Sequence, residues 1–197
     1  MFRLILIGVT WLPGVVSSPA SPTPPPNILS AEYTPRQAVF AARDRCDETV
    51  EHLRSIRTDR FLYIRNAYLA RPLLQLNAYK DSKSIIQTLR SLHQASQLNR
   101  LSEDLLFSPS RPAEELYEWT TDRWQSHNLA HLPSHQPALA SLRLQLDHWI
   151  AASRDPGRES DSRYDSNMAV YLSEAPAQAD TLRQNIALMK QWAREDK

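Results

Sequence analysis

The chain has 197 residues with 14 Pro, 3 Gly and 1 Cys, and its 23 basic and 22 acidic side chains leave a formal charge of +1. Glycine averages about 7% of a chain, and here only Gly157 follows the first twenty residues. These counts exclude a glycine-rich phosphate loop, a dinucleotide fingerprint, an intrachain disulfide and a multi-cysteine zinc site, and they give no bulk electrostatic case for nucleic acid or an anionic membrane.

Residues 1–20 have the pattern of a secretory signal peptide. Arg3 supplies the positive start, Leu4 to Val16 an apolar core, and Ser18-Pro19-Ala20 small residues for cleavage. The apolar core is short for a membrane span, so no stable membrane insertion is expected once the signal is removed. Residues 21–35 form a proline-rich linker, with Pro22, Pro24, Pro25 and Pro26 favouring an extended, solvated chain. The export route implies a secreted or periplasmic protein.

Gln37–Ala42 is an apolar run that predicts a buried strand, emerging at the charged stretch Arg43 to Glu48. Residues 52–66 alternate in two runs about Thr58-Asp59-Arg60, which predicts a β-hairpin. Lacking glycine, its turn is expected to be type I-based rather than type I′. Residues 67–81 read as irregular. A helix is predicted over Ser82–Asn99 with Ser82 as its N-cap, and a shorter one over Ser102–Phe107. Glu115–Trp119 reads as a short strand and Thr120–Ala130 as a polar loop. Pro137–Ser153 carries Leu139, Leu142, Leu146, Trp149 and Ile150 on one helical face. A last helix is predicted over Ala177–Arg194.

Several residue groups could carry chemistry. His127, His131 and His135 have a spacing that would align them on a helix, but Pro133 interrupts it. Glu114-Glu115 and Glu103-Asp104 fit solvated or helix-capping roles. Cys46 has Arg45 beside it, which favours a thiolate. Arg43-Asp44-Arg45 is the strongest group. Two guanidiniums flanking a carboxylate can grip a sulfate, a phosphate or a sugar carboxylate, or can form a structural ion-pair cluster.

The stretch FAARDRCDETVEHLRSIRTDRFLYIRN resembles the C-terminal region of sulfatases, in the bacterial group related to heparan N-sulfatase (sulfamidase). PAEELYEWTTDRWQSHNLAHLPSHQPALASLRLQLDHWI and DPGRESDSRYDSNMAVYL resemble later blocks of the same region, so the likeness runs over about 36–172. The chain departs from the family pattern at Trp119 and at Arg123-Trp124.

The resemblance implies an α+β fold: a small antiparallel sheet of about four strands packed against a long C-terminal helix, with additional helices. It divides the chain into a C-terminal-like subdomain at 36–155 and a tail with a helix at 156–197. In a complete sulfatase this subdomain borders the active-site cleft and aids substrate recognition, which assigns Arg43, Asp44 and Arg45 to substrate binding. No catalytic residue is assigned. Cys46 lacks the Pro and Arg of the Cys/Ser-x-Pro-x-Arg sequence that yields formylglycine, and the family's calcium and Lys/His motifs find no match. No cofactor is therefore expected in this chain, although a complete family enzyme uses calcium. The expected partners are a sulfated glycan and a sulfatase catalytic domain missing from this chain, and nucleic acid is excluded. The function implied is sulfate ester or sulfamate hydrolysis on sulfated glycans, with this chain inactive alone. The alternative is a secreted, non-catalytic module for glycan binding or partner docking.

Overall fold

The structure, a computed structural model, describes residues 34–195. The expected signal peptide at 1–20 and most of the expected linker at 21–35 lie outside the described residues. The fold is α+β, as expected: four strands and six α-helices among the described residues.

Strands β1 (Ala38–Cys46), β2 (Thr49–Thr58), β3 (Phe61–Asn66) and β4 (Glu114–Glu118) form one antiparallel sheet in the order β1-β2-β3-β4. The β2–β3 hairpin turns at Asp59-Arg60 as predicted. Neither residue has a positive φ, which excludes a type I′ turn. Thr58 Oγ1 takes the place of a glycine device by accepting hydrogen bonds from the backbone N–H groups of Phe61 (3.0 Å) and Arg60 (3.3 Å). The β1–β2 turn passes through Asp47 at φ +54°, a left-handed conformation that Asp tolerates.

The run Gln37–Ala42 is not a buried strand. Side chains alternate between the two faces of a strand, and Val39, on the face away from Phe40, is 56% exposed on this edge strand. Phe40 points the other way and stacks on Trp149 at a centroid distance of 5.3 Å.

Between β3 and β4 the chain makes α1 (Ala78–Asp81), α2 (Ser84–Gln94) and α3 (Arg100–Leu106). Two helices were expected here, over Ser82–Asn99 and Ser102–Phe107, and α2 and α3 fall within or beside them, while α1 lies in the segment read as irregular. Ser82 does not start α2. It closes α1, its hydroxyl donating to Tyr79 O at 2.7 Å, and α2 begins after Lys83 without a side-chain cap. Asn99 starts α3 by accepting from Ser102 N at 2.8 Å.

Helix α4 (Gln136–Ser153) crosses one face of the sheet. Leu139, Leu142 and Leu146 are buried against Ile56, Tyr63 and Leu116. At about 2 kcal/mol per buried side chain, the three leucines contribute roughly 6 kcal/mol gross. Two helices complete the chain, α5 (Asp161–Glu174) and α6 (Ala179–Arg194). Only the second was expected. The apolar stripe of α5 that reaches the core is Tyr164 and Met168, which is narrow for a periodicity signal. Its start was legible: Ser160 Oγ accepts from Arg163 N at 3.4 Å.

A buried polar knot holds α1, α5 and α6 to the sheet. Glu48 accepts from Ala78 N and from Asn185 Nδ2, each at 2.7 Å, and its carbonyl accepts from the Tyr164 hydroxyl at 2.8 Å. Glu51 takes a bidentate pair from Arg111 at 2.9 and 3.0 Å.

Candidate functional site

The site grows from an irregularity in the β1–β2 ladder. Arg43 pairs with Leu53 but Arg45 pairs with Val50, so Glu51 and His52 stand opposite the single residue Asp44. Such bulges re-aim side chains beside functional clefts. Asp44 accepts from Arg54 Nη1 at 2.8 Å and contacts His52 Nδ1 at 3.0 Å. Arg54 is 2% exposed, on the same sheet face as Ile56. It grips Asp155, just beyond α4, through Nε and through Nη2, the latter at 2.9 Å.

Electrostatics follow from this packing. The Arg54 hydrogen bond, aided by the Gly157 N–H, holds the Asp155 carboxyl down at about 2 against some cost of burial. Burial pushes His52 below its ordinary value, and the Arg54 charge adds to this. Asp44 and Asp155 work against that shift without cancelling it.

Beside this cluster lies an open cleft of about 350 Å³. Asp44 and Arg45 form its sheet side, and the segment from Pro156 to Ser160 with Arg163 forms the other. Gly157 adopts φ +75°, and a side chain there would meet nothing within 4 Å. Arg45 Nη1 stands 3.6 Å from Glu159 Oε1, and Arg163 Nε stands 3.9 Å from the same oxygen. The cleft thus presents guanidiniums to an anionic guest, with Glu159 between them.

The sequence assigned Arg43, Asp44 and Arg45 as one group. Asp44 and Arg45 meet at the cleft, while Arg43 borders a separate shallow groove with Leu53, Ser55 and Ile64. Asp44 is itself held by Arg54 and His52, so it orients the wall of the cleft. Arg54, Asp155, Glu159 and Arg163 were missed. They come from β2 and from the segment after α4, and only packing joins them. The resemblance to DPGRES in the sequence was the one signal available.

The remaining candidates scatter. His127 is exposed, 3.6 Å from Asp122, and His135 lies edge-on to Phe61. Glu114 binds Arg143 and accepts from the Tyr63 hydroxyl at 2.5 Å. Glu103 pairs with His93 at 2.6 Å. Cys46 Sγ makes only a weak contact to Asp47, at 4.0 Å. Among the described residues no three His, Cys, Asp or Glu side chains converge as metal ligands.

No family profile matches the chain. Over 122 residues it is 34% identical to a protein named ulvan-active sulfatase from Formosa agariphila. The match takes in 61% of this chain and 20% of the relative. Over that stretch the chain is sulfatase-like. It spans about a fifth of the length of the curated relative it matches.

Proposed function

We propose that this chain is the substrate-side subdomain of a sulfatase that hydrolyses sulfate esters or sulfamates on sulfated glycans. The observation that carries the reading is the 34% identity to an ulvan-active sulfatase over 122 residues. The placement nearer the heparan N-sulfatase group rests on the FAARDRCDE and YIRN motifs alone. Arg45 and Arg163 supply the cationic side of the cleft, and Asp44 keeps Arg54 and the cleft wall in place. Arg43, the third residue of the expected group, borders the separate groove with Leu53, Ser55 and Ile64. Sulfated sugars offer the anionic groups that guanidiniums recognise bidentately.

Hydrolysis belongs to a separate catalytic domain, and this chain by itself has no turnover. Sulfate release from p-nitrophenyl sulfate or N-sulfoglucosamine by the purified chain would overturn that part. The binding part is tested by titration calorimetry with sulfated ulvan oligosaccharides and their desulfated forms. Binding of the sulfated form alone, lost in Arg45→Ala, is the expected result. Equal binding of both forms would sink it.

One observation favours the alternative, a non-catalytic docking or glycan-binding module. The outer face of the sheet carries apolar grooves lined by Ala41, Leu53 and Ile64, then by Leu73, Leu105 and Tyr117. Such a face suits a protein partner. A catalytic domain would meet this requirement under the first reading.

A further inference from the structure

We propose that Glu159 is a displaceable carboxylate that occupies the seat between Arg45 and Arg163 when no ligand is bound and yields it to the ligand's anionic group. The proposal rests on the reading of this cleft as the glycan site and adds how that site is closed and opened.

The contacts of Glu159 are those of a loose occupant. Its Oε1 faces Arg45 Nη1 at 3.6 Å, Arg163 Nε at 3.9 Å and Asn167 Nδ2 at 3.4 Å. Charge-assisted hydrogen bonds close to about 2.7–2.9 Å, as the more deeply buried Glu51–Arg111 pair does at 2.9 Å. Three donors thus converge on one oxygen, and only the long Asn167 hydrogen bond is made, while neither guanidinium reaches bonding distance. Oε2 of Glu159 and Nη1 of Arg45 are both buried without a hydrogen-bond partner among the described residues. Unmade bonds of buried charged groups are expensive. A broader anion, with oxygens directed at both guanidiniums, would satisfy donors that the carboxylate leaves short.

The displaced carboxylate has somewhere to go. Glu159 also borders a small cavity of about 30 Å³, lined by Arg71, by Asp161 and by Asp165, the last paired with Lys190. Arg71 is 1% exposed and lies over Tyr68 at 3.9 Å and near Trp192 at 5.2 Å. Its one hydrogen bond among the described residues runs from Nη1 to Val50 O at 3.0 Å, and its Nε has no partner. A buried guanidinium short of acceptors is a second cationic seat, and the cavity has room for a carboxylate oxygen. Moving inward, Glu159 would exchange one incomplete ion pair for another and leave the cleft open.

The test is calorimetry on the full chain with two probes, inorganic sulfate and a heparin tetrasaccharide. Glu159→Gln removes the competitor and should raise tetrasaccharide affinity about tenfold, the scale of one lost charged competitor. Glu174→Gln makes the same charge change at an exposed position that borders neither the cleft nor the small cavity, and should move affinity less than about twofold. Arg163→Ala should weaken binding. Melting curves of each variant report whether it folds. Equal gains in Glu159→Gln and Glu174→Gln would overturn displacement while leaving the glycan site standing. Binding by the wild type that is indifferent to both Glu159→Gln and Arg163→Ala would overturn the site as well. In a sulfate-soaked crystal Glu159 should turn toward Arg71; sulfate bound with Glu159 still on Arg45 would overturn the proposal.

Discussion

Arg54 and Asp155 lie 101 residues apart and meet as a bidentate ion pair, with side chains 3% and 6% exposed. The pair ties the central strand β2 to the turn that follows α4. It therefore sets the wall of the cleft as well as the attachment of the last two helices.

Removing Arg54 strands the Asp155 carboxylate, and removing Asp155 leaves the buried Arg54 with Asp44 as its one remaining acidic partner among the described residues. Asp155→Asn should lower the unfolding free energy by about 3 kcal/mol, the usual scale for breaking a buried pair. An Arg54→Met/Asp155→Leu double variant should lose less than the sum of its single variants. Urea denaturation of the four proteins checks both statements.

Acid should weaken the same region. The folded Asp155 carboxyl titrates at about 2, below its ordinary value of 3.8. Its stabilisation is complete above that ordinary value and is lost as pH falls through the folded one. His52 is also lowered, and as a base it gives the same sign: folding is favoured above 6.5 and loses that support as His52 is forced to protonate. The melting temperature should fall first below about pH 6.5, and His52→Gln should remove that upper step. A melting temperature that rises on acidification through this range would contradict it.

Leu146 is fully buried between α4 and the sheet. Leu146→Ala should cost about 3 kcal/mol, from lost transfer energy and the cavity left behind. The exposed Leu144 on the same helix should tolerate alanine within about 0.5 kcal/mol. Chemical denaturation of the two variants tests whether α4 lies as described.

Arg45 and Arg43 border different depressions in the surface. Arg45→Ala should therefore reduce retention on a heparin column strongly, and Arg43→Ala only slightly. Equal losses would mean that retention reflects net charge rather than the cleft.

Gly157 is the glycine whose conformation can be stated, at φ +75° in open space. Gly157→Ala should cost about 1 kcal/mol through backbone strain alone, with no clash to relieve. It should also shift the adjacent Glu159, which a change in glycan affinity would register.

The sequence by itself determined the parts whose signals are local. Alternation and the Thr58-Asp59-Arg60 turn located the β2–β3 hairpin, and the leucine stripe of Pro137–Ser153 located the helix that covers the sheet. The three sulfatase-like blocks announced the relationship seen over 122 residues. Tertiary structure decided what depends on neighbours. Nothing within Gln37–Ala42 says that its strand lies at an edge, because burial is set by how many strands flank it. Nothing within Tyr164 and Met168 predicts a helix until Met189 and Trp192 pack beside them. Arg43-Asp44-Arg45 reads as one cationic grip along the chain, but strand geometry and the bulge opposite Asp44 send its members to two places. The cleft brings together residues about a hundred positions apart, and its charges depend on which buried groups find partners.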